Sequence, residues 1–192
     1  MKNVLVILGH PSKESLCGAL AEEYQSGAKK AGHTIETIHL GSLKFDPILR
    51  GGYEGSQPLE PDLEKAQQQI AWADHLVFVY PTWWGALPAL LKGFIDRIFL
   101  PGFAFKYHEG SMGWDRLLTG KSAQLIVTMD SPPWYYRWVS RMPGHHQMKK
   151  TILEFSGVKP VRIAAFGSVK ASDKAKRSKW LTAVNNLGQA VS

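Results

Sequence analysis

The chain has 192 residues, 44% hydrophobic and 20% charged, a composition that suits one soluble globular domain of ordinary size. No segment reaches the ~20 apolar residues of a membrane-spanning helix, and the apolar run at the N-terminus lacks the small-residue cleavage site of a secretory signal. A single cysteine, Cys17, excludes an internal disulfide and a cysteine-based metal cluster; we expect no metal site and a reducing, cytoplasmic location.

The net charge of +7 is unevenly placed. Residues 1–129 carry 12 Lys and Arg against 13 Asp and Glu, whereas residues 130–192 carry 11 against 3. Such an excess attracts nucleic acid, an anionic membrane surface or a phosphorylated small molecule.

Asn3 to Leu8 is a continuous apolar run without alternation, which predicts a central parallel strand. Gly9-His-Pro-Ser-Lys-Glu-Ser-Leu-Cys-Gly18 follows, with a helical pattern from Leu16 to Lys30. A strand, a short Gly/Ser loop and a helix N-terminus form an anion site, because free amides and the helix dipole both face the ligand. Ser12 or Ser15 adds a hydroxyl and also serves as a helix cap. The loop lacks both the Gly-Lys-Ser/Thr phosphate loop and GxGxxG, which disfavours ATP or a dinucleotide bound in the Rossmann manner. His10 is a candidate phosphate contact.

His33 to Leu40 alternates as a half-buried second strand. Residues 41–61, with Pro47, Gly51, Gly52, Gly55 and Pro58, predict a long excursion without regular structure. A helix from Pro61 to Trp72 leads to the buried third strand, Leu76 to Tyr80. Pro81-Thr-Trp-Trp-Gly85 then places two indoles at that strand's carboxyl end, and Pro88 opens a helix with an apolar face of Leu90, Leu91, Phe94, Ile95, Ile98 and Phe99. Gly102 to Tyr107, with Gly110 and Gly113, predicts a second irregular stretch. Ser122 to Met129 is the fourth strand, and Asp130-Ser-Pro-Pro-Trp-Tyr-Tyr-Arg-Trp138 its aromatic exit loop. A helix over Met148–Phe155, a fifth strand over Val161–Val169 and a basic helix from Asp173 to Leu187 complete the chain.

Five strands alternating with helices predict one α/β domain over residues 1–192, a three-layer sandwich with a five-stranded parallel sheet. Three strand exits, after residues 8, 80 and 129, converge on one cleft at the switch point of strand order 2-1-3-4-5. A phosphate cradle beside two aromatic loops fits a flavin.

Val6-Ile-Leu-Gly-His10 with Ser15, the segment Tyr80-Pro-Thr-Trp-Trp-Gly-Ala-Leu-Pro-Ala-Leu-Leu-Lys-Gly-Phe-Ile-Asp-Arg-Ile-Phe99, and Gly102-Phe-Ala-Phe-Lys-Tyr107 resemble the NAD(P)H:quinone oxidoreductase family. The likeness covers about the first 136 residues. It implies a flavodoxin-like fold, a tightly bound flavin, a homodimer with sites at the interface, and two-electron reduction of a quinone-like acceptor by NADPH or NADH in a ping-pong cycle. The resemblance carries His10, Ser15, Leu16 and Cys17 onto the phosphate loop, and Pro81, Thr82, Trp83, Trp84 and Gly85 onto the loop lining the flavin ring. It carries Thr128, Met129, Asp130 and Ser131 onto the third flavin loop and Tyr136 onto a catalytic tyrosine.

Asp130-Ser-Pro-Pro departs from the family's Thr-Gly-Gly loop, and the spacing of the family's catalytic histidine falls on Met142, with His145 and His146 out of register. The expected cofactor is FMN, with FAD as the alternative. Two relatives of the resemblance offer competing roles: a regulatory flavoprotein associated peripherally with a potassium-efflux transporter, and a flavodoxin-type electron carrier, which the basic charge disfavours. Nucleic-acid binding through Lys170–Lys179 is not expected, since those charges fit one solvated helix face and no base-reading module accompanies them.

Overall fold

The computed structural model describes residues 1–53, 55 and 57–191. Strand β1 (Asn3–Leu8) leads into helix α1 (Leu16–Lys30), β2 (Thr34–His39) and a 3₁₀ turn at Leu40–Ser42. Helix α2 (Pro61–Trp72), β3 (His75–Pro81) and α3 (Ala89–Ile98) follow. After a short pair β4 (Phe105–Tyr107) and β5 (Trp114–Arg116) come β6 (Ser122–Thr128), α4 (Pro133–Trp138) and α5 (Pro143–His146), which runs into a π-helical stretch at Gln147–Glu154. Strand β7 (Val161–Phe166) and helix α6 (Lys174–Gln189) close the chain.

The main sheet is parallel throughout, in the order β2-β1-β3-β6-β7, the flavodoxin-like order expected from the sequence. The pleat sends alternate residues to opposite faces, so each central strand feeds two cores. Leu5, Ile7, Leu76, Phe78, Tyr80, Leu125 and Val127 pack under α2 and α3. Val4, Val6, Leu8, Val77, Val79 and Ile126 pack under α1 and α6. β3 is buried along its whole length, which explains why its sequence is apolar without alternation.

Two features fix the helices around this sheet. A side chain at Gly27 would meet the Asn185 carbonyl at 2.0 Å, and one at Gly188 would meet the Tyr24 carbonyl at 2.3 Å, so α1 and α6 touch backbone to backbone. Arg97, on α3, is fully buried. Its Nη1 donates to the Asp46 carbonyl and to Glu60 Oε1, and its Nη2 donates to the Pro58 carbonyl and to Glu60 Oε2, at 2.9 Å each. It thereby clamps both ends of the excursion between Leu43 and Glu60.

At the amino edge of the sheet, His75 Nδ1 lies 2.7 Å from Ser122 Oγ and its Nε2 3.0 Å from the Tyr24 hydroxyl. Burial lowers the His75 pKa to about 4.

The secondary structure departs from the sequence expectations chiefly in four places. Residues 105–107 and 114–116 pair as an antiparallel hairpin within the stretch expected to be irregular. The aromatic exit after β6 is helical from Pro133, the helix expected at Met148–Phe155 is a π-helical stretch, and β7 ends at Phe166 rather than Val169. Proline at the first helical turn accounts for the second: Pro133 lacks an amide hydrogen and brings a helical φ.

Candidate active site at the strand exits

β1, β3 and β6 end at one level, with Leu8 opposite Val79 and Pro81 opposite Thr128, so their exit loops meet by construction. The loops are stitched laterally. The Thr82 amide donates to the Thr128 carbonyl at 2.7 Å, the Met129 amide to Phe166, and the Val169 amide to Met129. Between them lies an open cleft of about 200 Å³ lined by His10, Ser15, Leu16, Cys17, Pro81, Thr82, Trp83, Thr128, Met129, Asp130 and Val169.

One end of the cleft is built for an anion. Ser15 caps α1, its hydroxyl accepting the Gly18 amide at 3.1 Å, and the amides of Leu16 and Cys17 begin the helix with no acceptor inside it. The loop is seated on this first turn: a Cβ at Gly18 would lie 1.8 Å from the Lys13 carbonyl. His10 Nδ1 lies 3.0 Å from the Ser12 amide and 2.9 Å from the Ser12 carbonyl, so the Ser12 backbone holds the ring in either tautomer. The cleft's one acid, Asp130, accepts the Lys170 amide at 3.0 Å.

The other end is apolar. Trp83 is half-exposed and meets His10 edge-on at 5.8 Å between ring centres. Cys17 Sγ lies 3.3 Å from Thr128 Oγ1, joining α1 to β6, and burial pushes its thiol pKa up to about 11, so the sulfur is a packing group rather than a nucleophile. Anion-binding amides beside an aromatic wall fit a flavin phosphate and ring edge; the cleft carries no basic side chain other than His10.

Five expected site residues lie off the cleft lining. Ser12 is exposed, with its hydroxyl accepting the Glu14 amide, and Ser131 is exposed with its carbonyl accepting the Ser168 amide. Trp83 and Ala86 exchange backbone hydrogen bonds around Trp84 and Gly85, which take φ of 51° and 75°. That is a tight turn with both central residues left-handed, and it throws the Trp84 indole fully into solvent instead of against the cleft.

Tyr136 is the clearest departure. It is buried, and its hydroxyl donates to the Gly85 carbonyl at 2.9 Å while accepting the Gly144 amide at 3.0 Å. A phenol engaged in this way has no hydrogen left for a substrate. Gly144 also donates directly to Gly85, so α4, α5 and the tryptophan turn form one unit. His145, the nearest histidine to the family's catalytic position, is buried against the Tyr136 ring at 5.0 Å, and its Nε2 has no hydrogen-bond partner. Burial lowers its pKa to about 4, which keeps the ring neutral.

Val169 was absent from the expected set because the apolar pattern ran the fifth strand through it, whereas the strand ends at Phe166 and leaves Val169 in the exit loop. A larger cavity, about 470 Å³, lies elsewhere, between α3, the β4–β5 hairpin and the π-helical stretch, with walls that include Phe99, Phe105, Tyr107 and Phe155. None of its lining residues lies at a carboxyl end of the five-stranded sheet or in the first turn of an α-helix other than Lys92 on α3.

Comparison with known proteins agrees with the fold. A family model described as flavodoxin-like fold matches residues 2–188. An uncharacterized NAD(P)H oxidoreductase of Haemophilus influenzae is 30% identical over 185 residues, covering 92% of this chain and 89% of that protein. NAD(P)H dehydrogenase [quinone] 1 of Cavia porcellus is 30% identical over 128 residues, 56% of this chain, and the match spans only 46% of its length. Among solved structures, an NAD(P)H:quinone oxidoreductase from Methanothermobacter marburgensis superposes with a TM-score of 0.85 at 25% identity, covering 100% of this chain and 99% of that one. With nearly its whole length matched, from the first strand to the last helix, this chain belongs to the flavodoxin-like fold family.

Proposed function

We propose that the protein is a flavin-dependent NAD(P)H:quinone oxidoreductase that takes two electrons from NAD(P)H and passes them to a quinone in two separate half-reactions. The observation that carries this reading is the convergence of a helix-capped anion cradle and a tryptophan wall on the switch-point cleft, in a chain whose full-length relatives are named as NAD(P)H oxidoreductases. Bound flavin supplies the hydride-accepting and hydride-donating chemistry.

The chain's own residues bind and orient. The Leu16 and Cys17 amides, with the α1 dipole, hold the flavin phosphate, and Ser15 keeps that turn in place. Pro81, Thr82 and Trp83 wall one side of the cleft, and Thr128 to Asp130 the other. His10, its Nδ1 held by the Ser12 backbone, is the imidazole that lines the cleft. Tyr136 is a positioning residue that sets the tryptophan turn through Gly85.

FMN is the flavin of this reading. The basic charge of residues 130–192 favours NADPH, which carries one phosphate more than NADH. The large apolar cavity along α3 supports a homodimer that seats a second copy there. A cytoplasmic location completes the proposal; no helix among the described residues is long and apolar enough to cross a membrane.

The test is spectroscopic. Purified protein reconstituted with FMN shows a bound-flavin absorption band, NADPH alone bleaches it without air, and menadione restores it. Protein that neither retains nor takes up flavin refutes the reading. Protein that binds FMN but is bleached by neither NADPH nor NADH is an electron carrier instead.

A further inference from the structure

We propose that the face formed by α4 and the adjoining tryptophan turn docks on an anionic lipid bilayer, which delivers lipophilic quinones to the cleft. The substrate part rests on the reductase reading above; the docking does not.

Helix α4 turns one residue, Tyr136, into the protein and the rest outward. Trp134 is 63% exposed and Trp138 72%, and their spacing of four places them on one face, with Tyr135 and Val139 also exposed. The Trp84 indole stands fully exposed on the turn that Tyr136 ties to this helix. A monomeric surface rarely gathers so many large apolar side chains in one place. Tryptophan and tyrosine are the residues that settle at the membrane interface, where the ring is buried and its polar edge stays wet.

Charge selects the occupant. No acidic residue occurs between Asp130 and Glu154, while Arg137 and Arg141 fall within the patch and make no ion pair among the described residues. Arg137 lies over the Trp138 ring, 5.1 Å from its centre, so its charge is held beside the indole. A second copy seated with its twofold axis through this face would bring arginine patches together, with no carboxylate from residues 131–153 to meet them. Anionic headgroups answer both the charge and the aromatic rim. The left-handed backbone at Trp84 (φ 51°) has the same result: strain there presents the indole outward rather than into the core.

The experiment is flotation of the purified full-length chain with vesicles of phosphatidylcholine alone or containing a third phosphatidylglycerol. The wild type is expected to float with the anionic vesicles and to be released by salt. W134S/W138S and, separately, R137Q/R141Q are expected to reduce binding about ten-fold or more. Turnover with menadione in solution at saturating NADPH should be unchanged in both variants, whereas reduction of a long-chain quinone embedded in anionic vesicles should fall with the binding. Equal binding of wild type and variants, or none by the wild type, overturns the docking. So does light scattering that shows W134S/W138S converting a wild-type dimer to a monomer. Variant-sensitive vesicle binding without menadione turnover leaves the docking standing and refutes the reductase.

Discussion

Replacing Tyr136 with Phe separates the positioning role from a catalytic one. The substitution removes one hydroxyl and two hydrogen bonds, to the Gly85 carbonyl at 2.9 Å and from the Gly144 amide at 3.0 Å. Neither partner is orphaned, because Gly144 also donates to Gly85 at 3.1 Å. The cost is therefore that of two net hydrogen bonds without the full penalty of a buried unpaired group, about 1–2 kcal/mol. For a chain of this length that lowers Tm by roughly 2–8 °C. If all of it falls on the flavin-bound state, the Kd for FMN rises by no more than about thirty-fold. Turnover at saturating FMN should stay within about three-fold of wild type, since no reacting group is lost. A general acid removed from the site would lower kcat by about 10²–10⁴-fold. FMN titration by fluorescence, thermal melting and steady-state kinetics with NADPH and menadione read all three quantities. A hundred-fold loss of kcat with unchanged FMN affinity and Tm refutes the argument.

Gly18→Ala puts a methyl 1.8 Å from the Lys13 carbonyl, so the cradle loop must move; loss of FMN binding is expected, with a retained far-ultraviolet dichroism spectrum, and normal flavin retention would contradict the cradle assignment. Arg97→Met leaves the Asp46 and Pro58 carbonyls without their Arg97 donor and the Glu60 carboxylate with only the Asp46 amide. The carboxylate rehydrates, because the Glu60 side chain keeps 30% exposure, so the cost is about 2–4 kcal/mol rather than that of a sealed pair, visible as a lower denaturant midpoint. His75 and His145 have folded pKa values near 4, below the unfolded 6.5, so the unfolded chain binds more protons between those values. Stability is therefore full above about pH 6.5 and falls as pH drops toward 4; His145→Gln should flatten part of that slope in melts across this range, and an unchanged slope would argue that His145 is protonated in the folded protein.

The apolar runs of β1, β3 and β6 made the sheet and its order legible, because a strand buried on both faces has little choice of residue. Positions at strand exits were legible for the same reason: topology alone brings Ser15, Thr82 and Thr128 to one cleft. Side-chain direction was not. Whether Trp84 faces ligand or solvent depends on two backbone angles in a four-residue turn, and no periodicity encodes them. Tyr136 looked like a donor because sequence shows a hydroxyl and hides its partners. Arg97 sits within the apolar stripe of α3, and nothing local tells that a carboxylate and two carbonyls 37 to 51 residues away will receive it. The three-residue strands β4 and β5 are too short to leave a pattern.

The glycine contacts between α1 and α6 bear on how the cradle could be altered. Helix α1 is a rod of 15 residues, about 22 Å long, whose front end presents amides to the cleft and whose rear half rests backbone to backbone on the C-terminal helix. A methyl at Gly27 would act as a wedge under that rod and displace its front end, although it lies some three turns away from any ligand. Affinity for an anion at Leu16 and Cys17 is then adjustable from the far side of the molecule, and the last helix, silent in chemistry, serves as the cradle's fixed abutment.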